Sequence, residues 1–298
     1  MLKNFDDLLA KARNCGVSKV SVAQAEDQEV LRAVKLAEDM GLINPILVGD
    51  KNKIEENAKV VGLQKYEIVH VENSDDVALE AVKVVRSGEA KILMKGLVNT
   101  SVYLRAVLNK EHGLRKGRLL SLLAVYELPG YHKLLYCTDS GVNVNPSIEQ
   151  KKDILTNSLL VLKSMGLEMP KVAALTSNET VDSKIPATVD AALLVEMVKN
   201  NEIPNCIIEG PIAFDVAFDS NAAKHKGIDS KVSGDVDLLM FPNIETGNVL
   251  GKSWLHFNNA KWAGIILGAS SPVILGSRSD TADVKINSIA LACLTSNQ

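Results

Sequence analysis

Short apolar runs rich in β-branched residues alternate with longer stretches of helical periodicity along nearly the whole chain. Lys19–Ala23 (KVSVA) reads as a first strand, followed by a helix over Gln28–Met40 whose apolar stripe is Val30, Leu31, Val34, Leu36 and Ala37. Gly41 closes that helix. Pro45–Val48, Glu67–Val71 and Lys91–Met94 read as further strands, with a helix over Asp75–Ser87 between the last two. Strands spaced by helices in this way predict βαβ units, a parallel sheet and right-handed crossovers.

The pattern then changes once. Leu120–Tyr126 and Lys133–Thr138 are separated by a short stretch containing Pro129-Gly130, which predicts an antiparallel pair. A helix over about Pro146–Met165 follows, then strands at Lys171–Leu175, Cys206–Glu209, Val236–Met240, Ala263–Leu267 and Pro272–Leu275, and a last helix over about Thr281–Thr295. No internal repeat, low-complexity tract or Gly/Ser linker marks a domain boundary.

The 298-residue chain suits one large or two medium domains. Aromatics are only 4% of it, so the core rests on Val, Leu, Ile and Ala, which favours helices layered on a sheet. A net charge of −3 argues against a non-specific nucleic-acid or membrane-surface role, which needs a basic face, though it permits a local basic pocket for an anion. Cys15, Cys137, Cys206 and Cys293 form no CxxC pair and each reads as a small buried hydrophobe. A disulfide framework or structural zinc is not expected, and the cytoplasm is the expected compartment. Met1–Ala12 carries Asp6 and Asp7 where a signal peptide would be apolar, and predicts a short amphipathic helix instead.

Five constellations carry chemistry. Lys95-Gly96-Leu97-Val98-Asn99-Thr100-Ser101 lies at the carboxyl end of a predicted strand and leads into a helix over Val102–Asn109. That edge of a parallel sheet is where ligands bind. Thr100 or Ser101 can cap the helix while its first N–H groups face an anion, and Gly96 permits close backbone approach. An ordinary capped βα loop accounts for the same residues, and Lys95 tips the balance toward phosphate. Arg105, Lys110, His112, Arg115, Lys116 and Arg118 form a basic cluster. Arg105 shares a helix with Thr100 and is its best anion ligand, while Lys110, Lys116 and Arg118 fit a solvated helix end.

Asp139-Ser140-Gly141-Val142-Asn143 is dense in turn formers, so Asp139 and Asn143 fit Asx-turns as well as a ligand site. Gly210–Asp215 and Phe241–Asn248 each follow a strand, and Asp215 reads either as a site acid or as a satisfied loop residue. His225 and His256 have no partner at metal-ligand spacing. The richest stretch is Gly276-Ser277-Arg278-Ser279-Asp280-Thr281-Ala282-Asp283-Val284-Lys285. Arg278 can grip a phosphate, Ser277 can donate to an oxyanion, and Asp280 or Asp283 can take a proton. A helix cap at Asp280 or Thr281 with a first-turn acid at Asp283 explains the carboxylates but not the preceding Ser-Arg. A Walker lysine loop, GxGxxG after the first strand, GxSxG and HExxH are all absent, which weakens kinase, Rossmann dehydrogenase, serine hydrolase and zinc protease readings.

In order, Met94–Arg115, Thr138–Pro146, Gly210–Ala217, Phe241–Val249 and Ser277–Ala292 resemble the phosphate acetyl/butyryltransferase family over essentially the whole chain, with KGLVNT and SRSDT similar to its butyryl branch. The resemblance implies two α/β domains flanking a cleft, in a fold like that of isocitrate and isopropylmalate dehydrogenases. It implies a discontinuous first domain, 1–130 plus 276–298, a second domain over 131–275, and a homodimer or higher homo-oligomer. The implied reaction interconverts a short acyl-CoA and phosphate with an acyl phosphate and CoA, through a ternary complex without an acyl-enzyme. Butyryl is the expected acyl group, with acetyl or branched acyl groups as alternatives. A dehydrogenase or a non-catalytic binding protein on the same fold is more remote. The resemblance assigns catalysis to Ser277 and Arg278, with Asp283 as base and Asp280 as its alternative. It matches Arg105 by position to an arginine that binds coenzyme A; with the loop residues Lys95, Asn99, Thr100 and Asn143 it makes up the expected CoA and phosphate ligands, coenzyme A being a substrate with no resident cofactor or metal expected.

Overall fold

The computed structural model describes residues 2–276 and 280–296, and the chain divides into two compact units, each assembled from two chain segments. One comprises Phe5–Arg118 with Ala263–Gln298, the other Met1–Asn4 with Leu119–Trp262.

In the first unit the strands are β1 (Ser18–Ala23), β2 (Ile43–Gly49), β3 (Glu67–His70), β4 (Ile92–Lys95), β10 (Lys261–Leu267) and β11 (Val273–Ile274), in the order β3-β2-β1-β4-β11-β10. All neighbours run parallel except β10 and β11, which are antiparallel. Val20, Val22, Ile46, Leu47, Ile92 and Leu93 are fully buried. Near-continuous apolar strands of this kind are what a parallel sheet covered on both faces requires.

Helix α2 (Gln28–Asp39) shows why the periodicity could be read directly. Asp27 caps its start, accepting from the Val30 N–H at 2.8 Å. Its Val30, Leu31, Ala33, Val34 and Ala37 face is buried. Gly41, at φ +71°, ends it with N–H bonds from Gly41 to the Glu38 carbonyl and from Leu42 to the Ala37 carbonyl, the paired closure that a left-handed glycine allows. The last helix, α11 (Ala282–Thr295), is buried from Lys285 through Thr295 and packs on α1 (Phe5–Asn14) and α2.

The second unit carries β5 (Ser121–Glu127), β6 (Leu135–Thr138), β7 (Lys171–Leu175), β8 (Ile207–Ile212) and β9 (Leu238–Met240), in the order β5-β6-β9-β7-β8. The expected β5–β6 hairpin is present, with Val125 opposite Tyr136, and the remaining pairs are parallel. Helix α6 (Ile148–Ser164) opens on a capping box between Ser147 and Gln150. The amino edge of this sheet holds a charge cluster in which Lys133 and Asp237 are buried. Lys133, 1% exposed, lies 2.6 Å from both Asp235 and Asp237, and Lys171 and His132 also reach Asp235.

The compact units divide at Arg118/Leu119 and Trp262/Ala263, where the sequence places boundaries at 130/131 and 275/276. Strand pairing sets the difference: β5 is tied to β6 in the second unit, and β11 to β4 in the first. The reading of all four cysteines as buried needs one correction. Cys137, Cys206 and Cys293 are buried, but Cys15 is exposed. It follows α1, in the turn closed by Gly16 at φ +82°.

Candidate active site

The carboxyl end of β4 is shaped by one close approach. The Gly96 N–H donates to the Ala23 carbonyl at 2.8 Å and the Leu97 N–H to the Gln24 carbonyl at 2.9 Å. These bonds draw the turn onto the end of β1 so tightly that a Cβ at Gly96 would stand 2.6 Å from the Ala23 oxygen and nearer still to that of Gln24. Glycine is required here by space rather than by backbone angle.

The turn enters helix α5 (Thr100–Val107) one position earlier than the expected cap. Asn99, extended at φ −62° and ψ 139°, is the N-cap, while Thr100 is already helical. The Asn99 side chain makes no capping bond to the first turn, and both Asn99 and Thr100 are exposed. Tyr103 is fully buried and donates its hydroxyl to the Ile274 carbonyl at 3.2 Å, seating α5 against the sheet. Arg105, in the last turn of α5, is left on the exposed side.

Beside this turn lies a cavity of about 100 Å³. Met94, Lys95, Gly96 and Leu97 line it from β4 and its turn, and Asp27, Glu29 and Val30 from the start of α2. Ile274, Gly276 and Asp280 line it from the end of β11 and the approach to α11, and Lys285 and Ser288 from α11 itself. Both lysines are only 7% exposed. A buried ammonium needs a partner. Lys95 Nζ donates to the Gly96 carbonyl at 3.2 Å, and Lys285 Nζ to the Asp280 carbonyl at 2.6 Å.

The proposed catalytic Ser277 and Arg278 lie outside the described residues. Gly276 and Asp280, which bracket that stretch in the chain, both line the cavity. Thr281 is the N-cap of α11, accepting from the Val284 N–H at 3.4 Å, and Asp283 stands exposed in the first turn. Asp280 therefore faces the cavity, whereas Asp283 is not among its lining residues.

Asn143 belongs to the second unit and is held locally. Its amide nitrogen donates to Asp139 Oδ2 at 2.6 Å and to the Leu120 carbonyl at 2.8 Å. Asp139, 3% exposed, also accepts the N–H groups of Gly141, Val142 and Asn143. Burial pushes its carboxyl up, against the opposing pull of these donors. Asp215 is an exposed first-turn acid of α8 (Phe214–Phe218), paired with Lys226 at 3.1 Å and held below the usual carboxylate range by that contact.

Sequence reasoning missed Asp27, Val30 and Ile274 as parts of the site, and it included Lys285 in the Gly276–Lys285 stretch without giving it a role. Among the described residues no cluster of His, Cys, Asp and Glu could hold a metal ion, and no helix is long and apolar enough to cross a membrane.

The phosphate acetyl/butaryl transferase family model matches residues 5–81 and 66–293. A phosphate butyryltransferase of Clostridium beijerinckii is 44% identical over 296 residues, covering 99% of this chain and 98% of that one. Among solved structures, a branched-chain phosphotransacylase from Enterococcus faecalis V583 superposes with a TM-score of 0.84 at 32% identity, covering 95% of this chain and 100% of that one. A 4-hydroxythreonine-4-phosphate dehydrogenase from Klebsiella pneumoniae, 12% identical with a TM-score of 0.56 over 94% of this chain and 99% of that one, shares the fold alone. That likeness accords with the dehydrogenase-like architecture expected from the motifs. With the family model running from Phe5 into α11 and a relative matched at 44% identity over nearly its full length, the chain belongs to the phosphate acetyl/butaryl transferase family.

Proposed function

We propose that this protein transfers a short acyl group, butyryl foremost, between coenzyme A and inorganic phosphate. The observation that carries the reading is the near-full-length 44% identity to a phosphate butyryltransferase. The buried Lys95 and the tightly drawn Gly96 turn, at the carboxyl edge of a parallel sheet, support it from the side of the geometry.

In the direction of acyl-CoA synthesis, a carboxylate takes the proton of the coenzyme A thiol. The thiolate attacks the acyl phosphate carbonyl, Ser277 donates to the tetrahedral oxyanion, and Arg278 holds the phosphate that leaves when the C–O bond breaks. Asp283 is assigned as the base, with Asp280 as the alternative that its place at the cavity supports. Lys95, Asn99, Thr100 and Arg105 are assigned to the anionic groups of the substrates. Asn143 is a candidate through its amide oxygen, since its nitrogen is bound to Asp139 and Leu120. A positioned base contributes about 10²–10⁴-fold, an oxyanion donor roughly 10²–10³-fold, and positioning of two bound substrates supplies the remainder. The chemistry asks for no metal. The working assembly in this proposal is a homodimer or larger homo-oligomer in the cytoplasm.

Replacing Ser277 by Ala is expected to lower kcat for phosphate-dependent release of CoA by roughly 10²–10³-fold with the fold intact. Replacing Arg278 by Ala is expected to raise the KM for phosphate as well. Full turnover in either variant would overturn the assignment.

A further inference from the structure

The cavity beside the β4 turn has a size, a wall and a charge balance that point to one occupant. A cavity of about 150 Å³ is known to hold benzene, so roughly 25 Å³ serves each carbon. The about 100 Å³ here is then room for a chain of about four carbons. Its wall is mostly carbon, supplied by Val30, Met94, Leu97 and Ile274.

Among the described lining residues two lysines stand against three carboxylates, Asp27, Glu29 and Asp280, so their charges alone do not favour an anion over a neutral tail. The charges are also engaged elsewhere. Asp27 caps α2, Glu29 pairs with Arg32, and both lysines donate to loop carbonyls. Those carbonyls belong to Gly96 and Asp280. The second of these directly follows the Ser277–Ser279 stretch in the chain.

We infer that this cavity receives the hydrocarbon tail of the acyl group and sets the chain length the enzyme accepts, with Val30 and Leu97 as specificity-determining residues. The inference rests on the acyl-transfer reading above and deepens it. The tail fills the space between α2 and the β4 turn. The polar end of the acyl group then lies at Gly276 and Asp280, the lining residues that bracket Ser277 and Arg278 in the chain. A tail much longer than four carbons exceeds that volume.

Two variants of opposite sign test this. Val30→Phe fills the cavity from α2. Leu97→Ala enlarges it from a half-buried loop position whose backbone anchor to Gln24 does not depend on the side chain. Initial rates of phosphate-dependent CoA release are measured with acetyl-, butyryl-, valeryl- and hexanoyl-CoA. One methylene in an apolar pocket is worth about 10–200-fold in kcat/KM. Val30→Phe is therefore expected to lower the butyryl-to-acetyl ratio by about tenfold or more. Leu97→Ala is expected to raise the hexanoyl-to-butyryl ratio by a similar factor. Should Val30→Phe fail to fold, Leu97→Ala alone decides. Unchanged chain-length ratios in an active enzyme would overturn the inference, as would an effect confined to the KM for phosphate. Calorimetry of butyryl-CoA against CoA on the same proteins reads the contrast without turnover. The tail-site claim can thus fail while acyl transfer stands, and acyl transfer can fail while the tail site stands.

Discussion

Gly96→Ala is the most informative single methyl that could be added to this protein. The new Cβ would lie 2.6 Å from the Ala23 carbonyl oxygen and closer to that of Gln24. Carbon–oxygen contacts of this kind settle at about 3.3 Å or more, so the turn has to retreat by roughly 0.7 Å from the Ala23 oxygen and by more from that of Gln24. Both obstructing atoms are backbone, and they are the acceptors that hold the turn through the Gly96 and Leu97 N–H groups. Retreat therefore weakens two hydrogen bonds worth about 0.5–1.5 kcal/mol each. A forced backbone shift in a packed region costs about 1–3 kcal/mol. Taking these together, about 2–6 kcal/mol of stability is lost, which urea unfolding with probes in each unit would resolve. The effect on activity is larger in proportion. Lys95 and Leu97 move with the turn, and a displacement of about 1 Å at a positioned site costs about 10²-fold. A Gly96→Ala enzyme with unchanged urea midpoint and unchanged kcat/KM for butyryl-CoA would refute the view that this contact shapes the site.

Two further predictions concern regions away from the site. Lys133→Met strands Asp237, 3% exposed, beside Asp235 without its cation, and breaking a buried pair in this way costs about 3–5 kcal/mol by chemical unfolding; a loss below about 1 kcal/mol would contradict the structural role. Burial pushes the Asp235 carboxyl up, but hydrogen bonds from Lys133, Lys171 and His132 outweigh it and hold the group well below the usual range. Its contribution is accordingly complete above the unfolded carboxylate value of about 3.9 and is lost as pH falls below that toward the folded value, and an acid midpoint in Lys133→Met no higher than in wild type would contradict this. Cys15 is exposed, whereas burial pushes the thiols of Cys206 and Cys293 up to about 12 and that of Cys137 well above its ordinary value. A thiol reagent at neutral pH is expected to modify Cys15 alone in the native protein and the other three only on unfolding, and loss of the fast-reacting thiol in Cys15→Ser checks the assignment.

The strands and most helices were legible because their burial is one-sided or complete and their ends carry local signals. Gly41 and the hairpin between β5 and β6 are read from residues adjacent in sequence. Helix α3 (Lys51–Val61) went unread because only Ile54 and Ala58 are buried, too narrow a stripe to stand out. Helix α10 (Ile244–Phe257) was hidden by Gly247 and Gly251, which ordinarily argue against a helix interior. Their purpose is tertiary: a Cβ at Gly247 would stand 2.7 Å from that of Ser140, and one at Gly251 would strike the Tyr126 hydroxyl. The same limit applies to the site. The motif around Lys95 announced itself, but the approach of Val30, Ile274 and Lys285 to one cavity depends on elements far apart in the chain. Asn143 could be read as a ligand residue or as part of an Asx-turn, and its bonds to Asp139 show how fully the turn engages its amide nitrogen.

The most direct test of the account is the appearance of free thiol when the purified protein is given inorganic phosphate and, in turn, acetyl-, propionyl-, butyryl-, isobutyryl-, isovaleryl- and hexanoyl-CoA. The account predicts release that requires phosphate, peaks at or near four carbons and falls steeply by six. Release without phosphate, or none with any acyl-CoA, would contradict it.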